Sequence, residues 1–343
     1  MTLSYRTRRR LLTLGTVLLI LALLLVVVWM VWLLWLDRYV VYTREGAKLD
    51  FSLSSQQISG ELAVPPDDNI DVSIYYNEGD NTLNTSTELV QLYGYYIDAL
   101  MLQEDAAGIL DVLKKLPPQT PVMIELKDIT GRFLYPTGLG AMNTSVDQTK
   151  VQDILSYLKV ADLYTIARIP AFRDYYYGLE NVNDGLPTSK GYLWMDDNRC
   201  YWLNPTKEGV LSYLIQIATE IKTMGFDEIL FADFAFPNTD KIVFKGDQNE
   251  ALLAAAKRLL SSCGSERFAV SYLVSDSTFA LPEGRTRIYL EGRDAAKVKS
   301  ISEKAVVPDP AIHLVFVTDV NDTRFDVCGV LRPLTSADIE DLS

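Results

Sequence analysis

The chain has 343 residues, is 48% hydrophobic and carries a formal net charge of −13. Residues 1–37 hold four arginines and one aspartate, a charge of +3, so residues 38–343 carry −16. An acidic surface repels phosphate backbones, which argues against nucleic acid as a partner. The three cysteines are widely spaced, one thiol at least must stay unpaired, and His313 is the only histidine. The spacing therefore offers no zinc or redox signature, and we expect neither a metal nor a cofactor.

Residues 11–36 form an unbroken apolar run without a charged side chain. As a helix the run would be roughly 39 Å long, enough to cross the hydrocarbon core of a bilayer with some tilt. Arginines stand directly before it at positions 6, 8, 9 and 10. The aromatic side chains near its far end are Trp29, Trp32, Trp35 and Tyr39. Positive charge resists translocation, so the sequence predicts a cytoplasmic tail at 1–10, a single membrane helix and an extracytoplasmic remainder.

A cleaved signal peptide is the competing interpretation of this run. Its apolar core is normally about 7 to 15 residues long and ends in small residues at the cleavage site. The run at 11–36 is longer, and bulky residues surround its end. We therefore expect an uncleaved anchor in the cell membrane. Residues 37–88 then read as a juxtamembrane stalk with one short strand, since Ile70, Val72, Ile74 and Tyr76 alternate with polar positions.

From residue 89 to 343 the pattern changes to strands that alternate with helices. Short apolar runs indicate strands at 89–97, 122–126, 163–169, 229–236, 268–274, 287–290, 313–317 and 325–330. Apolar residues at helical spacing indicate helices within 151–158, 210–221 and 252–260, and Asn204-Pro205 is typical of a helix start. Eight strands alternating with helices predict an α/β fold, a TIM-like (β/α)8 barrel. Helical signals are short in the last third, where we expect irregularity.

In such barrels the chemistry lies at the carboxyl ends of the strands. The carboxylates at or near those predicted ends are Glu125, Asp128, Asp174, Asp233, Glu291 and Asp319. Asp227 and Glu228 precede the fourth strand and fall on the opposite, stabilising face. The long loop at 173–203 is rich in aromatic residues, which either stack on sugar rings or pack the loop against itself. The sequence alone weighs these two roles of Trp194, Tyr201 and Trp202 about evenly.

Four segments resemble one family of bacterial proteins, described as glycoside hydrolase domains with a TIM-barrel fold. Residues 225–237 read GFDEILFADFAFP and resemble the family run GFDEIQFDYIRFP. Residues 124–135 resemble IDVKDxxGxxxY, and residues 166–174 resemble IARIVVFKD. Residues 191–205 follow the pattern GxxWxD…WxNP. The resemblance is specific between about residues 122 and 237, and it implies a carbohydrate ligand for the groove.

This chain departs from the family run at the two positions where a carboxylate acting on a glycosidic bond and a supporting cation are expected. Without a gap, the family aspartate aligns with Ala232 and the family arginine with Ala235. Asp233 stands one residue later, and a shift of one along a strand turns a side chain to the opposite face. Glu125 and Asp174 could still converge over the barrel mouth, with Lys127 or Arg168 tuning them. The competing expectation is that these charges form a salt-bridged plug in the barrel.

The resemblance and its departures leave three functions open. The first is a membrane-anchored carbohydrate-binding barrel with weak or lost catalysis. The second is an active glycosidase with a rearranged carboxylate pair, and the third is a membrane-proximal structural partner without a ligand. The candidate catalytic residues are Glu125, Asp174 and Asp233. The candidate sugar-binding residues are Lys127, Arg168, Trp194, Tyr201 and Trp202.

Overall fold

The computed structural model describes residues 25, 29, 40–43, 46–49 and 88–335. Residues 40–49 contain two antiparallel strands, β1 (Val40–Thr43) and β2 (Gly46–Leu49), which the sequence did not predict. None of the helices that the structure describes has the length and apolar character needed to cross a bilayer. The predicted anchor at 11–36 lies almost entirely outside the described residues, and so does the predicted strand around residues 70–76. Both stay predictions.

The larger unit is a closed barrel of eight parallel strands, which confirms the predicted TIM-like fold. Its strands are β3 (Tyr93–Ile97), β4 (Pro121–Glu125), β5 (Tyr164–Pro170), β6 (Glu228–Ala232), β7 (Ala269–Leu273), β8 (Ile288–Glu291), β9 (Leu314–Val317) and β10 (Gly329–Pro333). Each strand pairs with its neighbours in chain order, and β10 closes on β3. The helices are α1 (Ala99–Leu113), α2 (Gln148–Leu158), α3 (Tyr175–Glu180), α4 (Glu208–Met224), α5 (Gln248–Cys263), α6 (Val298–Lys304) and α7 (Pro310–His313).

Aspartates start most of the helices. The side chains of Asp98, Asp147 and Asp247 accept hydrogen bonds from backbone N–H groups in the first turns of α1, α2 and α5. These N–H groups have no partner within their own helix, so a carboxylate at this place satisfies one of them and complements the helix dipole. In the last third, α6 and α7 are only seven and four residues long, in agreement with the weak helical signal there.

Three predicted boundaries are wrong. The last strand was expected at 325–330, but residues Thr323–Val327 form a 3-10 helix capped by Asp322, and β10 begins at Gly329. Helix α4 begins at Glu208, because the side chain of Asn204 instead accepts a hydrogen bond from Thr206 N within a turn. The fourth barrel strand ends at Ala232, before the predicted residue 236.

Alternating side chains of the strands fill the barrel interior. Its middle layer is apolar and includes Met123, Ile166, Leu230, Tyr289, Val315 and Leu331. At the amino-terminal end, Glu228 and Arg287 form an ion pair whose side chains are both fully buried. The hydroxyls of Tyr164 and Tyr289 donate to the same carboxylate at 2.7 and 2.8 Å. These buried side chains form a hydrogen-bonded network that fills the amino-terminal end of the barrel. Glu228 therefore lies away from the carboxyl-terminal end, where barrels of this fold carry their chemistry.

Candidate functional site

A cavity of about 510 Å³ opens at the carboxyl ends of β3, β4, β5, β8 and β9. Its size suits a small ligand or a sugar unit. Its charged lining residues are Asp98, Glu125, Arg168, Glu291, Arg293 and Asp319. Three of them, Glu125, Arg168 and Glu291, occupy inward positions at or near the carboxyl ends of their strands. This cavity, hereafter the mouth, is the candidate site.

Arg168 is the central cation of the mouth. Its guanidinium forms two hydrogen bonds with Glu291, from Nη1 to Oε1 and from Nη2 to Oε2 at 3.2 Å. Burial lowers the pKa of Arg168, but the negative charges of Glu291, Glu125 and Asp233 outweigh it and raise the pKa. A forked pair of this kind fixes the orientation of both side chains. Arg168 therefore holds the Glu291 carboxylate in place and carries positive charge at any physiological pH.

Glu125 lies at the end of β4 beside the first turn of α1. Its Oε2 accepts a hydrogen bond from Ala99 N at 3.1 Å. Burial raises the pKa of Glu125, and the charge of Arg168 and the Ala99 hydrogen bond only partly offset this effect. Glu125 therefore keeps its proton to a higher pH than an ordinary glutamate, as a proton donor in a sheltered site does.

Asp233 follows β6 in a left-handed backbone conformation, with φ of +47°. Strand alternation ends at Ala232, so the turn brings the carboxylate to Arg173, with Oδ1 3.4 Å from Nη1. Burial raises its pKa, while Arg173 and Arg168 lower it by less. The expectation that Asp233 points to the opposite face is thus wrong, because the residue is no longer part of the strand.

Ala232 aligns, by the sequence resemblance, with the aspartate of the family run. It is the last residue of β6, in register with Pro170 of β5, and only 2% exposed. Glu228 and Leu230 precede it at alternate positions that point into the barrel, so its methyl group points inward at the carboxyl end of β6. The end of β6 therefore has no carboxylate on the strand itself.

Arg173 connects Asp233 to the long loop at 173–203. Its Nε donates to Asp196 Oδ2 at 2.8 Å, and its guanidinium lies 5.7 Å from the ring centre of Trp202. Burial raises the pKa of Asp196, but hydrogen bonds from Cys200 N and the Trp202 indole, together with the Arg173 charge, lower it overall. Asp196 and Trp202 of the loop thus hold Arg173 beside Asp233.

Asp174 and Lys127 are brought together, but not at the mouth. Both side chains are fully buried, and Lys127 Nζ lies 2.8 Å from Asp174 Oδ2. Asp174 also accepts from Tyr177 N at 2.8 Å and from the Tyr213 hydroxyl at 3.1 Å. A Cβ on Gly131, whose φ is +93°, would lie 2.1 Å from Asp174 Oδ1. The pair anchors the loops behind the mouth, and its burial leaves it without access to a ligand.

The three predicted aromatic residues are mostly packed within the loop. Trp202 is 9% exposed and donates its indole N–H to Asp196 at 3.1 Å. The ring of Trp194 lies 6.3 Å from that of Trp202 and packs against the core. Tyr201 stacks on Tyr175 at 5.5 Å. Tyr192 is the exposed ring of this loop, at 72%, and sequence reasoning did not select it.

Sequence reasoning also left out Glu291 as a candidate site residue, although its place after the sixth barrel strand was a usable signal. Tyr96 was missed as well; burial and the charges of Asp98 and Asp319 raise the pKa of its hydroxyl, so it stays a hydrogen-bond donor. Within residues 88–335 and the short described stretches before them, no cluster of His, Cys, Asp and Glu is placed to hold a metal ion.

Solved structures of other proteins share parts of this architecture. A hypothetical protein from Ruminiclostridium thermocellum is 21% identical with a TM-score of 0.44, covering 52% of this chain and 96% of its own. The α-galactosidase from Lactobacillus brevis is 12% identical with a TM-score of 0.49, covering 75% and 39%. The family 36 α-galactosidase from Geobacillus stearothermophilus is 12% identical with a TM-score of 0.46, covering 73% and 40%. The chain thus spans about two fifths of these galactosidases.

A search among curated proteins gives no match. The family model described as "Putative glycosyl hydrolase domain" matches residues 96–282, which is more than half of the chain. That range contains four of the mouth residues discussed above, namely Tyr96, Asp98, Glu125 and Arg168, together with Arg173, Ala232 and Asp233. The chain therefore belongs to this glycosyl hydrolase-like family.

Proposed function

We propose that this protein is a membrane-anchored, extracytoplasmic carbohydrate-binding barrel whose hydrolytic activity is weak or lost. Family membership and the polar cavity at the mouth support a sugar ligand, since a sugar site needs hydrogen-bonding groups around a sheltered pocket. The arginine cluster before the apolar run at 11–36 supports the anchor and its orientation.

The proposed reduction in hydrolytic activity rests on the methyl side chain of Ala232. Glycoside hydrolysis normally needs two carboxyl groups across the scissile bond, one protonated and one ionised. The strand that supplies a family carboxylate ends here in a side chain without oxygen, and Glu291 across the mouth is held by Arg168. Loss of one acid–base group removes a factor of about 10² to 10⁴ in rate. Binding needs only a polar lining, and the mouth has one.

An active glycosidase is the second candidate, and the geometry of Asp233 favours it. The left-handed turn presents the Asp233 carboxyl beside Arg173 and Arg168, and burial raises its pKa. A carboxyl of raised pKa facing an ion-paired Glu291 is the division of roles that glycosidases use. In this alternative Asp233 donates the proton and Glu291 stabilises the developing positive charge of the sugar.

Turnover and binding measured on the same protein separate these candidates. The purified protein is assayed for release of reducing ends from a panel of polysaccharides, and for retention of the same polymers. We expect retention with little turnover, and Ala232→Asp with Ala235→Arg should raise the turnover if the rest of the site is intact.

The matched variants are Asp233→Asn and Asp197→Asn. Asp197 is exposed on the long loop at 173–203 and serves as the control. Strong turnover by the native protein that Asp233→Asn abolishes and Asp197→Asn preserves would establish the glycosidase instead. Failure both to retain and to cleave any polymer would refute both candidates.

A further inference from the structure

A second cavity, of about 530 Å³, adjoins the mouth. It lies between the segment 275–278 that follows β7 and the helix α6, and it shares Gly292 and Arg293 with the mouth. Two adjoining cavities with a common wall fit consecutive units of a chain better than a single small molecule. Its cationic lining residues are Arg293, Lys297 and Lys304. We call this cavity the basic groove.

Within the described part of the chain, the cations of the basic groove form no ion pairs with neighbouring carboxylates. Among the described residues, neither Lys297 nor Lys304 makes an ion pair, and both are exposed. Arg293 donates from Nη2 to Ser275 O, while its buried Nε has no hydrogen-bond partner within the described part of the chain. An unpartnered buried donor is costly, and a ligand oxygen would satisfy it.

Two carboxylates also line the basic groove, but each is engaged with the backbone. Asp276 accepts from Thr278 N at 2.9 Å, and Asp294 accepts from Ala296 N at 2.9 Å. Both carboxylates thus stabilise backbone turns, and the side chains of Arg293, Lys297 and Lys304 line the same cavity. The three cations therefore outnumber the two carboxylates in this cavity, on a domain that is strongly acidic as a whole.

We propose that the basic groove binds an acidic unit of a glycan chain, a uronic acid carboxylate, while the preceding units occupy the mouth. The inference rests on the proposed carbohydrate function of the mouth and adds its ligand class. The mouth itself disfavours an anion, since Asp98, Glu291 and Asp319 line it. The acidic unit is therefore directed to Arg293, Lys297 and Lys304, which fixes the register of the chain.

The test compares acidic polysaccharides with their neutral counterparts on the full-length protein in detergent. Polygalacturonate, alginate and hyaluronate are the acidic probes, and the same polymers with carboxyl groups reduced to alcohols are the neutral ones. We expect preferential retention of at least one acidic polymer, and weaker retention at high salt. The double variant Lys297→Ala with Lys304→Ala should bind it about ten-fold more weakly, as for two partly exposed charge contacts.

Lys299→Ala is the matched control, because Lys299 is exposed on α6 and does not line the basic groove. It should bind like the native protein. Equal weakening by Lys299→Ala, or equal retention of acidic and reduced polymers, would overturn the inference and leave carbohydrate binding standing. Retention of no polymer at all, acidic or neutral, would instead remove the proposed function and the inference with it.

Discussion

The buried pair of Lys127 and Asp174 gives the sharpest test of which family residues support the barrel and which act at the mouth. We consider Asp174→Asn, which keeps the size of the side chain and removes its charge. The Lys127 ammonium would then keep only Pro170 O, at 3.4 Å, and the rings of Phe133 and Tyr213, at 6.0 and 5.7 Å, as its neighbours. An uncompensated charge would be left in a fully buried place.

Breaking a buried ion pair by removing one partner typically costs about 3–5 kcal/mol. For a domain of this size each kcal/mol lowers the melting temperature by about 2–4 °C, so Asp174→Asn should lower it by roughly 6–20 °C. Adding Lys127→Met to Asp174→Asn removes the unpaired ammonium charge. The double variant should therefore recover part of the loss, and the two substitutions should be strongly non-additive.

Thermal unfolding followed by circular dichroism measures these differences. The control is Asp111→Asn, which breaks the exposed pair of Asp111 and Lys114 and should cost less than about 1 kcal/mol. Retention of glycans well below the melting temperature should be unchanged in Asp174→Asn. A variant with native melting temperature and no retention or turnover would refute the reasoning and return Asp174 to the list of catalytic candidates.

Four further predictions follow from single contacts. Folding raises the pKa of Asp233 above 3.8, so its contribution to stability is complete below that pH and is lost as the pH rises through the raised pKa. The melting temperature of Asp233→Asn should therefore equal or exceed that of the native protein at pH 7, and this advantage should shrink towards pH 4. A lower melting temperature of the variant at pH 7 would contradict this. Trp202→Ala should cost about 3–5 kcal/mol in urea unfolding, while Tyr192→Ala, an exposed ring, should cost little; equal effects would contradict the packing role. Gly131→Ala should destabilise the protein in the same assay, because a Cβ would meet Asp174 at a φ of +93°, and native stability would disprove that clash. Protease added to intact spheroplasts should leave only a short membrane fragment, whereas full protection or a released soluble form would refute the predicted topology.

The barrel was predictable because its strands are short apolar runs at regular spacing, and this pattern does not depend on long-range contacts. The errors fall where local side chains compete with the regular element. Asn204 bonds to the backbone of Thr206 and delays α4, and Asp322 caps a 3-10 helix that displaces the last strand. Both residues were visible in the sequence. Which of two local hydrogen bonds forms depends on the packing of the neighbouring chain, and a sequence pattern does not show that packing.

The candidate site was only partly predictable, because a shared motif does not say whether its residues face the ligand or support the loop. Gly131, Lys127 and Asp174 belong to two different motif segments, yet they meet in one buried contact behind the mouth. Trp202 and Asp196 likewise hold Arg173 from behind. Much of the family signature in this chain therefore describes the scaffold of the loops. Glu125, Arg168 and Glu291 line the mouth because strand alternation turns all three inward near the carboxyl ends of their strands.

The step from Ala232 to Asp233 is where this chain departs from the family run that it resembles. Had β6 continued, alternation would have buried the Asp233 carboxylate among the helices, and an unpaired charge there would have been costly. The left-handed turn avoids that cost by ending the strand and pairing Asp233 with Arg173 at the edge of the mouth. The same turn places the carboxyl beyond the last inward position of the strand, which Ala232 occupies. The last inward position of β6 therefore holds a methyl group, where the family run that this chain resembles has an aspartate. Under the proposed function, this displacement favours retention of a glycan over its hydrolysis.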